Sequence, residues 1–266
     1  MRTALLVLLG VVIGAWGSLC GIGGGIFAVP VFHYWFGLPL PRAVASSLVL
    51  VGVMTSGGTL GEFLRADSAL RWDVVLGLLV TSILGTRVGF VIARRVSTRG
   101  LKRTFCVLLV LVASGILLTA GQRTSAPASA IDWTFGRIAY ILAVGFVSGM
   151  LSPLLGIGGG LIAVPALLLG FPPLGYLGAR AASTAMSAVN GLQSVWLYHA
   201  ERAIVWSIAL PAAIGALGGA FLGVALAHEP RVKSVAEVLV ALTLYFVAAR
   251  FAWDSWRETG DVKAST

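Results

Sequence analysis

Residues Gly21–Pro30 read GIGGGIFAVP and residues Gly156–Pro165 read GIGGGLIAVP, identical at eight of ten positions. Each copy falls inside a long apolar run, about 4–36 in the first case and about 138–170 in the second. Glycine in a helix interior costs about 1 kcal/mol relative to alanine, so four glycines in five residues interrupt a helix. The residues that follow, Ile26–Phe36 and Leu161–Leu169, restart one whose first amides have no intrahelical partner. A segment that recurs at a fixed distance marks a duplicated architecture.

The match continues beyond the glycines. Ala45-Ser46-Ser47 pairs with Ala182-Ser183-Thr184, Trp72 with Trp206, and Gly85 and Gly89 with Gly219 and Gly223. Repeat one spans about 1–121 and repeat two about 135–253, with a polar linker at 122–134 and a polar tail at 254–266. Neither half buries its inner face alone, so 1–266 is read as one membrane domain.

Of 266 residues 58% are hydrophobic and 11% charged, at a mean hydropathy of +0.96. Soluble domains carry about 25% charged residues, so this chain needs a non-aqueous solvent. Eight apolar runs (about 4–36, 43–61, 72–93, 104–121, 138–170, 181–198, 203–227 and 235–253) are long enough to cross a bilayer as helices. The expected fold is all-α, a polytopic membrane protein of eight to ten segments. If each GIGGG run counts as two segments, every half has five and the halves are inverted. With Arg94–Arg103 in the cytoplasm, inversion places eleven basic loop residues inside and seven outside, whereas parallel halves give nine and nine. The positive-inside tendency and transporter precedent favour inversion.

The net charge of +9 does not indicate nucleic acid, because the basic residues cluster in connections such as Arg94–Arg103. Cys20 and Cys106 lie in apolar segments without metal or disulfide spacing. Met1-Arg2 before an apolar stretch is reminiscent of a signal peptide, but the segment recurs inside the chain and is taken as mature protein. Trp16, Trp35, Trp72, Trp133, Trp196, Trp206, Trp253 and Trp256 fall mostly near run ends, as in an interfacial belt.

A glycine break leading into a helix start is suited to an anion, since amides point at the ligand and the helix dipole favours negative charge. The candidate substrate contacts are Gly21, Gly23, Gly24, Gly25, Gly156, Gly158, Gly159 and Gly160. Glycines that only permit close helix packing are the competing reading. Ser46, Ser47, Ser183 and Thr184 offer hydroxyls to an oxyanion or, alternatively, cap and back-bond their helices. Asn190 and Gln193 are ligand contacts or interhelical glue. Arg87, inside the run 72–93, either faces the substrate path or snorkels towards Arg94. His33, His199, Glu62 and Glu237 sit near run ends and are assigned to the interface, the competing reading being a proton relay. No catalytic group, metal ligand or cofactor is expected, and no G-x-x-x-x-G-K-[ST] motif is present for ATP.

With these motifs the chain resembles the TauE/SafE sulfite exporter family, on Gly21, Gly23, Gly24, Gly25 and Pro30 with Gly156, Gly158, Gly159, Gly160 and Pro165. The resemblance implies a multi-pass transporter of the bacterial inner membrane, carrying sulfite, thiosulfate or an organosulfonate. An inside-negative potential favours exit of an anion by about 2.3 kcal/mol per charge per 100 mV, so export runs without a coupling ion. The alternatives are a proton- or sodium-coupled importer, which needs a titratable or ion-binding group near the site, an integral membrane enzyme, or an assembly partner. The partners expected are a small anionic substrate and the lipid bilayer.

Overall fold

A computed structural model describes residues 2–96 and 131–229, together with Gly100, Val107, Val110, Ser114, Tyr245 and Ala249. Those six apart, the runs 104–121 and 235–253 and the tail lie outside the described residues, as do most of the linker and Cys106, Glu237, Trp253 and Trp256. The described residues form helices and no strand. In chain order these are α1 (Arg2–Cys20), α2 (Gly25–Pro30), a π-helical turn (Val31–Trp35), α3 (Leu40–Phe63), α4 (Trp72–Ala93), α5 (Phe135–Leu155), α6 (Gly160–Gly170), a 3₁₀ turn (Pro172–Leu174), α7 (Gly175–Ala200) and α8 (Trp206–Ala227). Five of them are long and apolar enough to cross a membrane, and α6 with the segment through α7, bent by 109°, makes a sixth candidate. This is a multi-pass helical membrane protein.

Backbone-to-backbone packing at glycine builds the bundle. A Cβ on Gly10 or Gly14 of α1 would strike the carbonyl of Ala212 or Ala216 of α8, and one on Gly215, Gly219 or Gly223 would strike Val7, Val11 or Ala15. The same contacts join α4 and α5: Gly85 against Phe146, Gly89 against Met150, Gly145 against Leu78, Gly149 against Ser82. In lipid, close van der Waals packing of small residues is what holds helices together. The paired glycines Gly85/Gly89 and Gly219/Gly223 thus do one job, each gripping the first long helix of the other half. Contacts climb together along α1 and α8 and along α4 and α5. In contrast, α3 and α7 cross with opposite chain direction, since Gly52 meets Gly191 while Gly58 meets Thr184.

Each 33-residue apolar run turns out to be two helices. Gly159 lies against Ser148, and farther along, Tyr140 packs against Gly170 and donates to the Ala166 carbonyl (2.9 Å). The α5–α6 unit is therefore an antiparallel hairpin that reverses at Gly156–Gly159. Gly24, beside Gly17 and Ile13, shows that the chain likewise reverses against α1 at the start of α2. The run expected at 181–198 begins earlier, at Gly175, and so includes Arg180.

Candidate functional site

The two glycine turns have the same backbone. Gly21, Gly23 and Gly24 have φ of 70°, 83° and 56°, and Gly156, Gly158 and Gly159 have φ of 74°, 76° and 90°. Left-handed backbone is close to free only for glycine, which explains why these positions recur. The turns also touch one another. A Cβ on Gly25 would collide with the Gly156 carbonyl, one on Gly23 with the Ile157 carbonyl, and one on Gly160 would come 2.7 Å from the Gly21 carbonyl. Gly21–Ile26 and Leu151–Leu161 are all buried.

Helices α3 and α7 clamp this junction. Ser47 of α3 donates to the Gly156 carbonyl (2.9 Å), and Ser183 of α7 donates to the Gly21 carbonyl (3.0 Å). Each half therefore holds the turn of the other. One turn farther on, Val51 and Ser187 sit at the middle of their helices, both against Gly158. The turns thus lie at mid-depth of the bundle.

Five buried side-chain polar atoms on or next to these turns have no hydrogen-bond partner among the described residues: Ser18 Oγ, Ser148 Oγ, Ser187 Oγ, Arg180 Nε and Asn190 Oδ1. All five residues are at most 1% exposed. Leaving such an atom unsatisfied costs roughly 1–3 kcal/mol, more for a charged group, so a cluster of them needs an explanation. Ser148 lies against Gly159 and Ser187 against Gly158 and Gly160, while the stem of Arg180 lies against Gly21, its Cγ 2.5 Å from a Cβ placed there.

Arg180 also anchors a charged chain leading outward. Its Nη1 donates to the Ser18 carbonyl (3.2 Å), and its Nη2 is paired with Glu62 Oε2 at the end of α3. Glu62, 1% exposed, accepts the Ala69 amide (3.0 Å) and faces His228 Nε2 (3.3 Å). His228 Nδ1 faces Asp67 Oδ2 (3.1 Å), whose side chain is 61% exposed. Arg65, hydrogen-bonded to Asp67, holds that carboxyl below its usual range.

The structure gathers the eight candidate glycines with Ser47, Ser183 and Asn190, whose Nδ2 approaches the Gly158 carbonyl at 3.5 Å. The two serine hydroxyls are spent on carbonyls and position the turns. Ser46 accepts the Val205 amide (2.9 Å) ahead of α8, and Thr184 back-bonds to Arg180 (2.8 Å), so both have local duties. Gln193 donates to Ile83 of α4 (3.1 Å) as interhelical glue. Arg87 is not brought to the site: it is exposed on the outer side of α4, beside Val88. His33 bonds the Leu38 carbonyl and His199 meets Trp206 edge-on, both at helix ends. The interfacial assignment of Glu62 is corrected, because burial and Arg180 make it an interior group. Arg180 escaped the sequence reading because a basic residue one position outside an apolar run looks like an interfacial anchor. Ser187 could have been found, since it follows Ser183 by one helical turn.

The description "Sulfite exporter TauE/SafE" matches this chain over residues 1–116 and 141–265. The chain belongs to the TauE/SafE sulfite exporter family. Similar proteins include a probable membrane transporter protein of Xylella fastidiosa (strain 9a5c), 27% identical over 243 residues and 90% of both chains. The probable membrane transporter YunE of Bacillus subtilis is 25% identical over 261 residues, covering 90% of this chain and 93% of YunE. MamO of Paramagnetospirillum magneticum, also described as a probable membrane transporter, matches only in part, at 30% over 115 residues, or 41% of this chain and 18% of MamO. No solved structure matches the chain. Family and relatives alike point to a membrane transporter and not to an enzyme.

Proposed function

We propose that this TauE/SafE protein is a secondary transporter or facilitator that carries a small sulfur-containing anion, such as sulfite, thiosulfate or an organosulfonate, across the bacterial inner membrane. The substrate would sit where the two glycine turns meet. One observation carries this reading: buried side chains with an unsatisfied donor (Ser148, Ser187 and Arg180) lie against a paired backbone reversal at mid-depth. Hydroxyls, a guanidinium and the first amides of α6 form a donor set for an oxyanion. The halves are read as inverted repeats, with the 94–103 loop in the cytoplasm and the 64–71 loop outside. The opposed directions of α3 and α7 and the exchanged grips Ser47–Gly156 and Ser183–Gly21 support that arrangement.

Export is the favoured direction, because the membrane potential expels a divalent anion by about 4.6 kcal/mol per 100 mV. In proteoliposomes, thiosulfate flux should rise with an imposed potential that is negative on the thiosulfate-loaded side. Flux indifferent to potential, or no flux of any sulfur anion, refutes the proposal.

A further inference from the structure

The Arg180–Glu62 pair joins α7 to α3 in the interior, both side chains 1% exposed, and its placement calls for a reason. Burying two charges is expensive, and a buried ion pair is often no more stabilising than apolar residues of the same size. This one leaves Arg180 Nε without a partner beside the Gly21 turn. It is also connected to solvent by a continuous set of polar contacts, from exposed Asp67 through His228 to Glu62. The titratable and charged groups around Glu62 are Arg180 from α7, His228 at the end of α8, and Arg65 and Asp67 from the loop after α3. The neighbouring turn of α1 contributes only the neutral Ser18.

We propose that Glu62 is a resident carboxylate that occupies Arg180 between substrates, and that a proton delivered to Glu62 by way of His228 releases Arg180 to the transported anion. The inference rests on the anion site described above and adds a proton to it. His228 takes up a proton from solvent at Nδ1, beside Asp67, and the imidazolium so formed passes the proton on Nε2 to Glu62 Oε2, so that the net change is one solvent proton moved to Glu62. The Arg180–carboxylate contact is then exchanged for an Arg180–anion contact, and the site gains one anion and one proton. His is suited to such a relay because its two nitrogens can exchange protons separately near neutral pH. If the proton travels with the anion, a monovalent sulfonate crosses without net charge, while a divalent anion still moves one negative charge.

The test uses the full-length protein in detergent, with thiosulfate and methanesulfonate as probes. Binding is measured by calorimetry between pH 5 and 8, in buffers of differing ionisation enthalpy that report proton uptake. The expected result is uptake of close to one proton per anion within part of that range, and affinity that rises about tenfold per unit fall in pH there, as one-proton linkage requires. Glu62→Gln should bind at least as tightly as the unaltered protein does at low pH, without pH dependence, and Arg180→Gln should bind at least tenfold more weakly. Binding by the unaltered protein with no proton uptake overturns the inference and leaves the transport reading intact, whether or not Glu62→Gln folds. A Glu62→Gln protein with unchanged pH dependence, or an Arg180→Gln protein of unchanged affinity, also overturns it. Failure of the unaltered protein to bind either probe at any pH removes the transport reading and the inference with it.

Discussion

Replacing Gly23 by alanine adds one methyl group where the two turns meet. At φ 83° an L-residue is strained, and the new Cβ would press on the Ile157 carbonyl of the opposite turn. Left-handed backbone costs about 1–2 kcal/mol for a residue with a Cβ, and forcing a methyl into packed surroundings adds about 1–3 kcal/mol. The obstacle is a backbone oxygen, so relief requires the whole 156–160 turn to shift. The two effects sum to about 2–5 kcal/mol, and at about 2–4 °C per kcal/mol for chains of this size the unfolding midpoint should fall by roughly 4–20 °C. Thermal unfolding in detergent, followed by tryptophan fluorescence, measures this. Gly218→Ala is the control, because a Cβ there meets nothing within 4 Å and it lies on an exposed face of α8. That change should raise stability by up to about 1 kcal/mol. A Gly23→Ala protein that melts with the unaltered one, or a Gly218→Ala protein destabilised as much, refutes the reasoning.

Three further outcomes follow from the same contacts. Ser183→Ala removes the donor to the Gly21 carbonyl and should destabilise by about 0.6–1.7 kcal/mol, as interhelical hydrogen bonds in membranes do, with Ser47→Ala comparable; unfolding curves and flux decide whether both fall. Glu201→Gln breaks an exposed pair with Arg94 (3.0 Å) and should change stability by less than about 1 kcal/mol, within error of a melting assay. The Asp67 carboxyl is held below its ordinary value of 3.8, chiefly by the Arg65 hydrogen bond. Its folded-state pKa is thus depressed, so its contribution is fully present above 3.8 and lost as pH falls through the lower folded value. Melting midpoints of the unaltered protein and Asp67→Asn should therefore differ above pH 3.8 and converge below the folded value.

The helical membrane character and the interruption at both glycine clusters were legible because each rests on local chemistry: apolar length and the intolerance of helices for glycine. The glycines of the two clusters occupy matching left-handed positions for the same reason. What the sequence concealed was long-range. Nothing local shows that the chain reverses at the start of α2 and of α6, since a broken straight helix and a hairpin share one composition. Arg87 looked more functional than Arg180 because it lies deeper in an apolar run. Depth along a run says nothing about which side of a helix meets lipid, and Arg87 faces outward while Arg180 meets Glu62 across 118 residues. Ser46, Ser47, Ser183 and Thr184 were all legible as hydroxyls at helix positions of interest. Thr184 back-bonds within its own helix, as that local chemistry allows, but the long-range partners of Ser46, Ser47 and Ser183 emerge only from the packing.

The central claim is a place: an anion held between residues 21–25 and 156–160. Diffraction from crystals soaked in selenite, which has the shape and charge pattern of sulfite, locates it through the anomalous signal of selenium. The account predicts one dominant peak within hydrogen-bonding reach of the Gly158–Gly160 backbone and the Ser187 hydroxyl. A dominant peak elsewhere, or none at a concentration that saturates binding in solution, contradicts it.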